Sequence, residues 1–366
     1  MYITLFKNNT NHITYTQLQQ NNFENYTTKA YKYTYFIENP RPTNTEKITK
    51  AQQQLDIIYG LLSPYKEIYE QQYYTFKIPK RSGGLRTINA PNTDFKDALR
   101  KTKDIFEQNI KVLAHPAAFA YTAQRSIKDA LVIHQQNNSN WFLKIDLKDF
   151  FNNCTPEIVY DNIKELYPFW YFDDTHKERL KEIIKICSLN NGLPQGTPIS
   201  PLLTNLLMVP YDYKISQYLY NLNKTSNNKF VYTRYADDIL ISARKTFSWK
   251  DIENELKNIL QPFKINLTKT RYGSKAGTNW NLGLMLNKDN NITLGHQKKK
   301  TLNAMLNNFL RDFGTPKQWN QADTYTLQGQ LSWLKQIEPD YYNYLIQKYE
   351  AKYQHTTYSV AIKTIL

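Results

Sequence analysis

The stretch Phe230-Val231-Tyr232-Thr233-Arg234-Tyr235-Ala236-Asp237-Asp238-Ile239-Leu240-Ile241-Ser242 holds two apolar-rich runs around a short acidic break. Such a pattern predicts a β-hairpin, Phe230 to Tyr235 paired with Ile239 to Ser242, with Ala236-Asp237-Asp238 between them. Carboxylates would then stand at a strand end. The same placement recurs upstream, where Trp141 to Leu147 is short, rich in Ile, Leu and Phe, and carries Asp146 near its end. A carboxylate buried there without a cation would be costly. Each aspartate alone reads as an ordinary cap or turn; together they predict one site.

The flanking sequence alternates strands and helices. Thr155-Pro156-Glu157 opens a helix, because Thr caps and Pro is tolerated at the first helical position. Glu178 to Cys187 reads as a helix, Asn191 to Gly196 as a loop, Ile199 to Leu222 as one long helix with Pro210 as a kink, and Asp251 to Leu260 as a helix. Upstream, Gln52 to Leu62 is helical, and Tyr73 to Ile78 is extended before the turn Arg81-Ser82-Gly83-Gly84. Phe95 to Val112 has helical spacing, with Asn92 or Thr93 as its cap. Beyond Gly295, Leu302, Met305, Leu306, Phe309, Leu310 and Phe313 form a helical stripe, with Lys298, Lys299, Lys300 and Arg311 largely off it. The expectation is an α+β fold with an all-helical C-terminal region.

A chain of 366 residues exceeds what a single core usually holds, so two or three subdomains are expected. The formal net charge of +15 favours a polyanionic partner, since Lys and Arg release counterions when they neutralise phosphates. Two cysteines, Cys154 and Cys187, are too few for a disulfide framework or a cysteine zinc site, which fits a reducing cytoplasm. No run approaches the ~18 apolar residues of a membrane span. Secretion and membrane insertion are both disfavoured.

Nucleotidyl transfer needs metal ions that clamp the attacking and leaving oxygens, and hard Mg²⁺ wants carboxylate oxygens. Asp146, Asp237 and Asp238 supply them. Tyr235-Ala236-Asp237-Asp238 resembles the YxDD motif of reverse transcriptases, and the strand carrying Asp146 resembles their first catalytic motif. Asn191-Gly192-Leu193-Pro194-Gln195-Gly196-Thr197-Pro198-Ile199-Ser200-Pro201 resembles their QG-and-SP loop-helix. That match is long and specific.

The resemblance implies a right-hand polymerase: an N-terminal extension over 1–75, fingers over 76–140, a palm with a finger-side insertion over 141–290, and a helical thumb over 291–366. It implies two Mg²⁺ ions, with Mn²⁺ as a substitute, at Asp146, Asp237 and Asp238. Lys80 and Arg86 of the basic hairpin would meet the triphosphate. Gln195, Gly196 and Lys269 would lie against the nucleotide, while Phe151, with Phe150 its neighbour, would exclude a ribose 2′-hydroxyl. On the nucleic-acid side it implies Arg125, Ser126, Pro194, the primer-grip turn Leu282-Gly283, and Lys298, Lys299, Lys300 and Arg311 of the thumb. At Arg125 the chain departs from the family, reading Phe119 to Gln124 where a glycine-containing stretch is common.

The implied partners are an RNA template or non-coding RNA, deoxynucleotides and a DNA product, with an accessory defence protein or a second copy as further candidates. Ser200-Pro201 and Leu282-Gly283-Leu284 fit neither diversity-generating elements nor typical retrons, which leaves a resemblance to defence-associated bacterial enzymes, with a divergent retron enzyme as the nearest alternative. No HNH-type cluster or maturase-like extension follows the last helices, which disfavours a complete group II intron protein. A catalytically silent RNA-binding scaffold is the alternative of another class, opposed by the intact aspartates. An RNA-templated RNA polymerase is opposed by Phe151.

Overall fold

The computed structural model describes residues 45–353 apart from 80–82, 111–113, 277, 281–282, 314, 316 and 318. Helix α1 (Thr45–Leu62) leads to a hairpin of β1 (Tyr73–Pro79) and β2 (Leu85–Pro91), then α2 (Thr93–Asp104), which loosens into a π-helical turn over Ile105–Ile110. Asn92 is the cap of α2, its side chain accepting from Phe95 N. Next come α3 (Ile127–Gln136), β3 (Trp141–Asp146), a short helical turn at Phe150–Asn153, α4 (Pro156–Ile163) and α5 (Asp174–Ile186). As expected, Thr155 caps α4.

The helix expected over Ile199 to Leu222 is two helices, α6 (Ser200–Leu207) and α7 (Val209–Thr225). Met208 ends one and begins the other, because Pro210 has no N–H to continue the ladder. The hairpin β4 (Phe230–Tyr235) and β5 (Asp238–Ala243) follows, then α8 (Trp249–Ile259), the short strands β6 (Arg271–Ser274), β7 (Met285–Leu286) and β8 (Ile292–Thr293), and three helices, α9 (His296–Asp312), α10 (Gln321–Ile337) and α11 (Pro339–Lys352).

The central sheet runs β4-β5-β3-β6, with every neighbouring pair antiparallel. Side chains alternate across it. On one face Leu143 and Ile145 of β3 pair in register with Ile241 and Ile239 of β5, and all four join the main core with α1, α2 and α4 to α8. On the other face Phe142 and Leu240 join a second core with Trp280 and the stripe Leu302, Leu306, Phe309 and Leu310 of α9. The sheet is therefore clamped between two cores except at the end where Asp146 pairs with Asp238. Ile48, Ala51, Leu55, Ile58 and Leu62 are buried in the main core, so α1 packs as an integral part of it.

Candidate active site

Register alone brings the three aspartates together. Asp146 is the Cα partner of Asp238, and Leu147 N donates to Asp237 O at 3.1 Å. Asp146 is buried, and the loop before β6 grips it: Asn266 N donates to its carbonyl at 2.8 Å, Asn266 Nδ2 to Oδ1 at 3.2 Å, and Lys269 Nζ lies 2.9 Å from Oδ1 and 3.0 Å from Oδ2. Asp238 takes a different cation, with Lys144 Nζ 2.9 Å from Oδ2. Asp237 sits at the turn between them. Burial, reinforced by the charges of Asp238 and Asp146, pushes its carboxyl up to about 6.

These residues fit divalent metal ions. Three carboxylates against two lysines leave net negative charge, and an acid already reluctant to ionise gains most from a cation beside it. Among the described residues no three His, Cys, Asp or Glu side chains close into a metal cage. Mg²⁺ is commonly held through one or two carboxylates plus substrate phosphates, so an open array suits it.

The turn carrying Asp237 is strained and buttressed. Ala236 has φ +58°, a left-handed conformation that favours glycine. Arg234, fully buried, donates from Nη1 to Ala236 O at 3.0 Å and forms a two-pronged pair with Asp212, Nε to Oδ1 at 2.9 Å and Nη2 to Oδ2 at 2.8 Å. Tyr232 Oη donates to the same carboxylate at 2.6 Å. A charged residue inside an apolar strand was the signal for this support.

Of the two phenylalanines after Asp146, Phe150 is core, packed on Phe263 with ring centroids 5.4 Å apart. Phe151 is half-buried, and its carbonyl accepts from Leu193 N at 2.9 Å. A Cβ on Gly192 would stand 2.6 Å from Asn152 O, so only glycine lets this loop lie against the turn. The loop then crosses to the hairpin, where Asn89 N donates to Gln195 O at 2.9 Å. Gly196, at φ +122°, fits between Ile88 and the Asn89 carbonyl. Pro194 is buried. Arg86 is exposed on β2, while Lys80 lies outside the described residues.

The expected nucleic-acid contacts divide. Arg125 Nη1 donates to Pro116 O and Ala118 O, both at 2.8 Å, and Ser126 caps α3 in a reciprocal capping box with Asp129. Lys298 Nζ donates to Gly283 O at 3.0 Å, tying α9 to the expected primer-grip turn, whose Leu282 lies outside the described residues. Lys299 pairs with Glu338 at 2.9 Å and stands over the Tyr341 ring, while Arg311 pairs with Asp312. Lys300 is exposed.

Residues 78–286 match the family model described as reverse transcriptase (RNA-dependent DNA polymerase). The chain belongs to that family. Similar curated proteins include Retron Ec83 reverse transcriptase of Escherichia coli, 30% identical over 78% of this chain and 88% of that one, and Retron Ec73 reverse transcriptase of the same species, 32% identical over 74% and 85%. A solved apo telomerase from Candida tropicalis aligns with 78% of this chain and 58% of its own at 14% identity, with a TM-score of 0.46, a looser likeness. This reverse transcriptase is an RNA-directed DNA polymerase with the α+β right-hand polymerase fold, and its family uses divalent metal ions, an RNA template and a DNA product. Among its described residues no helix is long and apolar enough to cross a membrane. Lys144, Arg234 and Asn266, which sequence reasoning did not select, complete the reverse transcriptase's aspartate site.

Proposed function

We propose that Asp146 and Asp237, with Asp238 beside them, would hold two Mg²⁺ ions for the transfer of a deoxynucleotide to a primer 3′-hydroxyl. When bound, such ions supply Lewis-acid stabilisation of the attacking and leaving oxygens. The protein's own part is placement. Register sets the carboxylates, Arg234 holds the turn under Asp237, and Phe151 lies where a 2′-hydroxyl would project. Gln195 and Gly196 form a floor joined to the β1–β2 hairpin; Arg86 of that hairpin is assigned to the triphosphate, together with Lys80, which lies outside the described residues. Lys269, which pairs with Asp146, is assigned to the reacting phosphate, where its ammonium can offset charge or deliver a proton to the leaving group. The observation that carries this reading is the in-register meeting of Asp146 and Asp238 with Asp237 at the adjoining turn.

In this reading 76–140 act as fingers, 141–290 as palm and 291–366 as thumb, the thumb tracking duplex shape through phosphates. Exposed Lys300 and Arg311 suit that role, whereas Lys299 secures the joint between α9 and α11 through Glu338. The template is an associated non-coding RNA. Relatives carrying the retron name over most of the chain favour a divergent retron-type enzyme, with anti-phage defence as the proposed biological setting and an accessory protein or second copy as proposed partners.

Purified protein with its co-purifying nucleic acid, supplied with Mg²⁺ and labelled deoxynucleotides or ribonucleotides, tests this. Labelled DNA is expected. Labelled RNA would point to an RNA polymerase, and no product to a silent RNA-binding scaffold.

A further inference from the structure

The segment from Ala117 to Tyr121 enters the site from the side opposite Lys269. Ala118 bridges Arg234 in parallel, with Phe119 N donating to Arg234 O at 2.8 Å and Arg234 N to Ala117 O at 2.7 Å. Parallel neighbours advance in step, so the residues after Ala118 run toward the Ala236–Asp237 turn, and Tyr121 arrives level with it. Ala117, Ala118, Phe119 and Ala120 are all buried, yet Tyr121 is 50% exposed.

The backbone presenting Tyr121 is pinned. Asn205 Nδ2 donates to Ala120 O at 2.8 Å, Thr122 Oγ1 to the same carbonyl at 3.2 Å, and Arg125 holds the carbonyls of Pro116 and Ala118. Tyr121 itself has φ +57°, a left-handed conformation disfavoured for a bulky side chain. Such strain persists where the surroundings impose it, and it clusters at ligand contacts. Asp237, Tyr235 and Arg86 all lie within electrostatic reach of the phenol, which places it between the palm turn and the fingers hairpin.

The sheet order decides which strand Tyr121 meets. Phe151 follows β3 and Lys269 leads into β6, so the sugar and reacting α-phosphate of the nucleotide belong on that side, with the distal phosphates toward Arg86; Tyr121 stands off the outer edge of β4. An aromatic face accepts any base, as a template-independent contact requires. We infer that Tyr121 is a positioning residue that stacks against the RNA template base paired with the primer terminus. This rests on the polymerase reading above.

The test uses the full chain bound to an RNA template carrying 4-thiouridine opposite the primer 3′-terminal nucleotide. Ultraviolet cross-linking and peptide mapping are expected to mark Tyr121. In parallel, Tyr121→Phe should hold template–primer within about twofold of the parent while Tyr121→Gly weakens it about tenfold, measured by fluorescence anisotropy. Tyr121→Gly should also raise the melting temperature, because glycine accepts the left-handed backbone, and a merely structural tyrosine would lower it. A cross-link only from a photoreactive primer base or nucleotide, or glycine-variant binding equal to the parent, overturns the assignment. Should the parent protein fail to extend any primer, the polymerase reading itself falls; extension without the cross-link removes only the role of Tyr121.

Discussion

Lys144 and Asp238 form an ion pair of 2.9 Å between adjacent strands, with side chains only 13% and 16% exposed, one residue away from Asp237, which has no ion-pair partner among the described residues. The two aspartates of the YADD turn are therefore unequal. One is paired within the sheet, and the other has a buried carboxyl with no such partner among the described residues.

That inequality separates two variants. Asp237→Asn should lower primer extension about a thousandfold, since it removes several kcal/mol of charge stabilisation, with the melting temperature unchanged or raised. Asp238→Asn strands the Lys144 ammonium and should lower stability by about 1–3 kcal/mol as well as activity. Single-turnover extension and thermal melts of both proteins check this, and equal melts would count against it.

The carboxyl of Asp237, pushed up to about 6 by burial and then by its acidic neighbours, sets a pH dependence. Its folded value lies above the unfolded one, so protonation favours the folded state: the contribution is full below the unfolded value near 4 and is lost as pH rises through about 6. Metal-free protein should therefore lose stability between pH 4 and 6.5 relative to Asp237→Asn, which lacks the titrating group. Parallel melts across that range give the difference.

Arg234 and Asp212 are fully buried, so removing one partner leaves an uncompensated charge. Arg234→Met should cost about 3–5 kcal/mol in urea unfolding. The double variant with Asp212→Leu should recover part of that stability but little activity, because the Ala236 carbonyl still lacks its donor.

Phe151→Ala should raise ribonucleotide incorporation in competition assays with mixed nucleotides, while leaving the fold intact. Phe150→Ala should instead destabilise by about 3–5 kcal/mol, as expected for a buried ring. Equal effects on sugar choice would contradict the assignment of Phe151 as the gate.

The strands bearing the aspartates were legible because a buried strand writes its burial into an apolar run, and the turn between them is short. The strand at Arg271–Ser274 was not, since it is short, carries a glycine and pairs only at the sheet's edge with β3. The break at Met208 was hidden because the apolar run Leu206-Leu207-Met208-Val209 continues across it, where only Pro210 signalled an interruption. Lysines were the hardest to read. Lys299, expected at a phosphate, meets Glu338, and Lys144, to which the sequence assigned no role, meets Asp238, partners far away in sequence. Pairings of that kind exist only once the sheet and helices are assembled.

Counting Mn²⁺ bound by the protein with template–primer and a non-hydrolysable deoxynucleotide, by electron paramagnetic resonance, tests the shared metal site most directly. The parent should bind the ion tightly, and Asp146→Asn and Asp237→Asn should each weaken it about a hundredfold or more. Either variant binding Mn²⁺ as the parent does would show that these two carboxylates do not hold a cation in common.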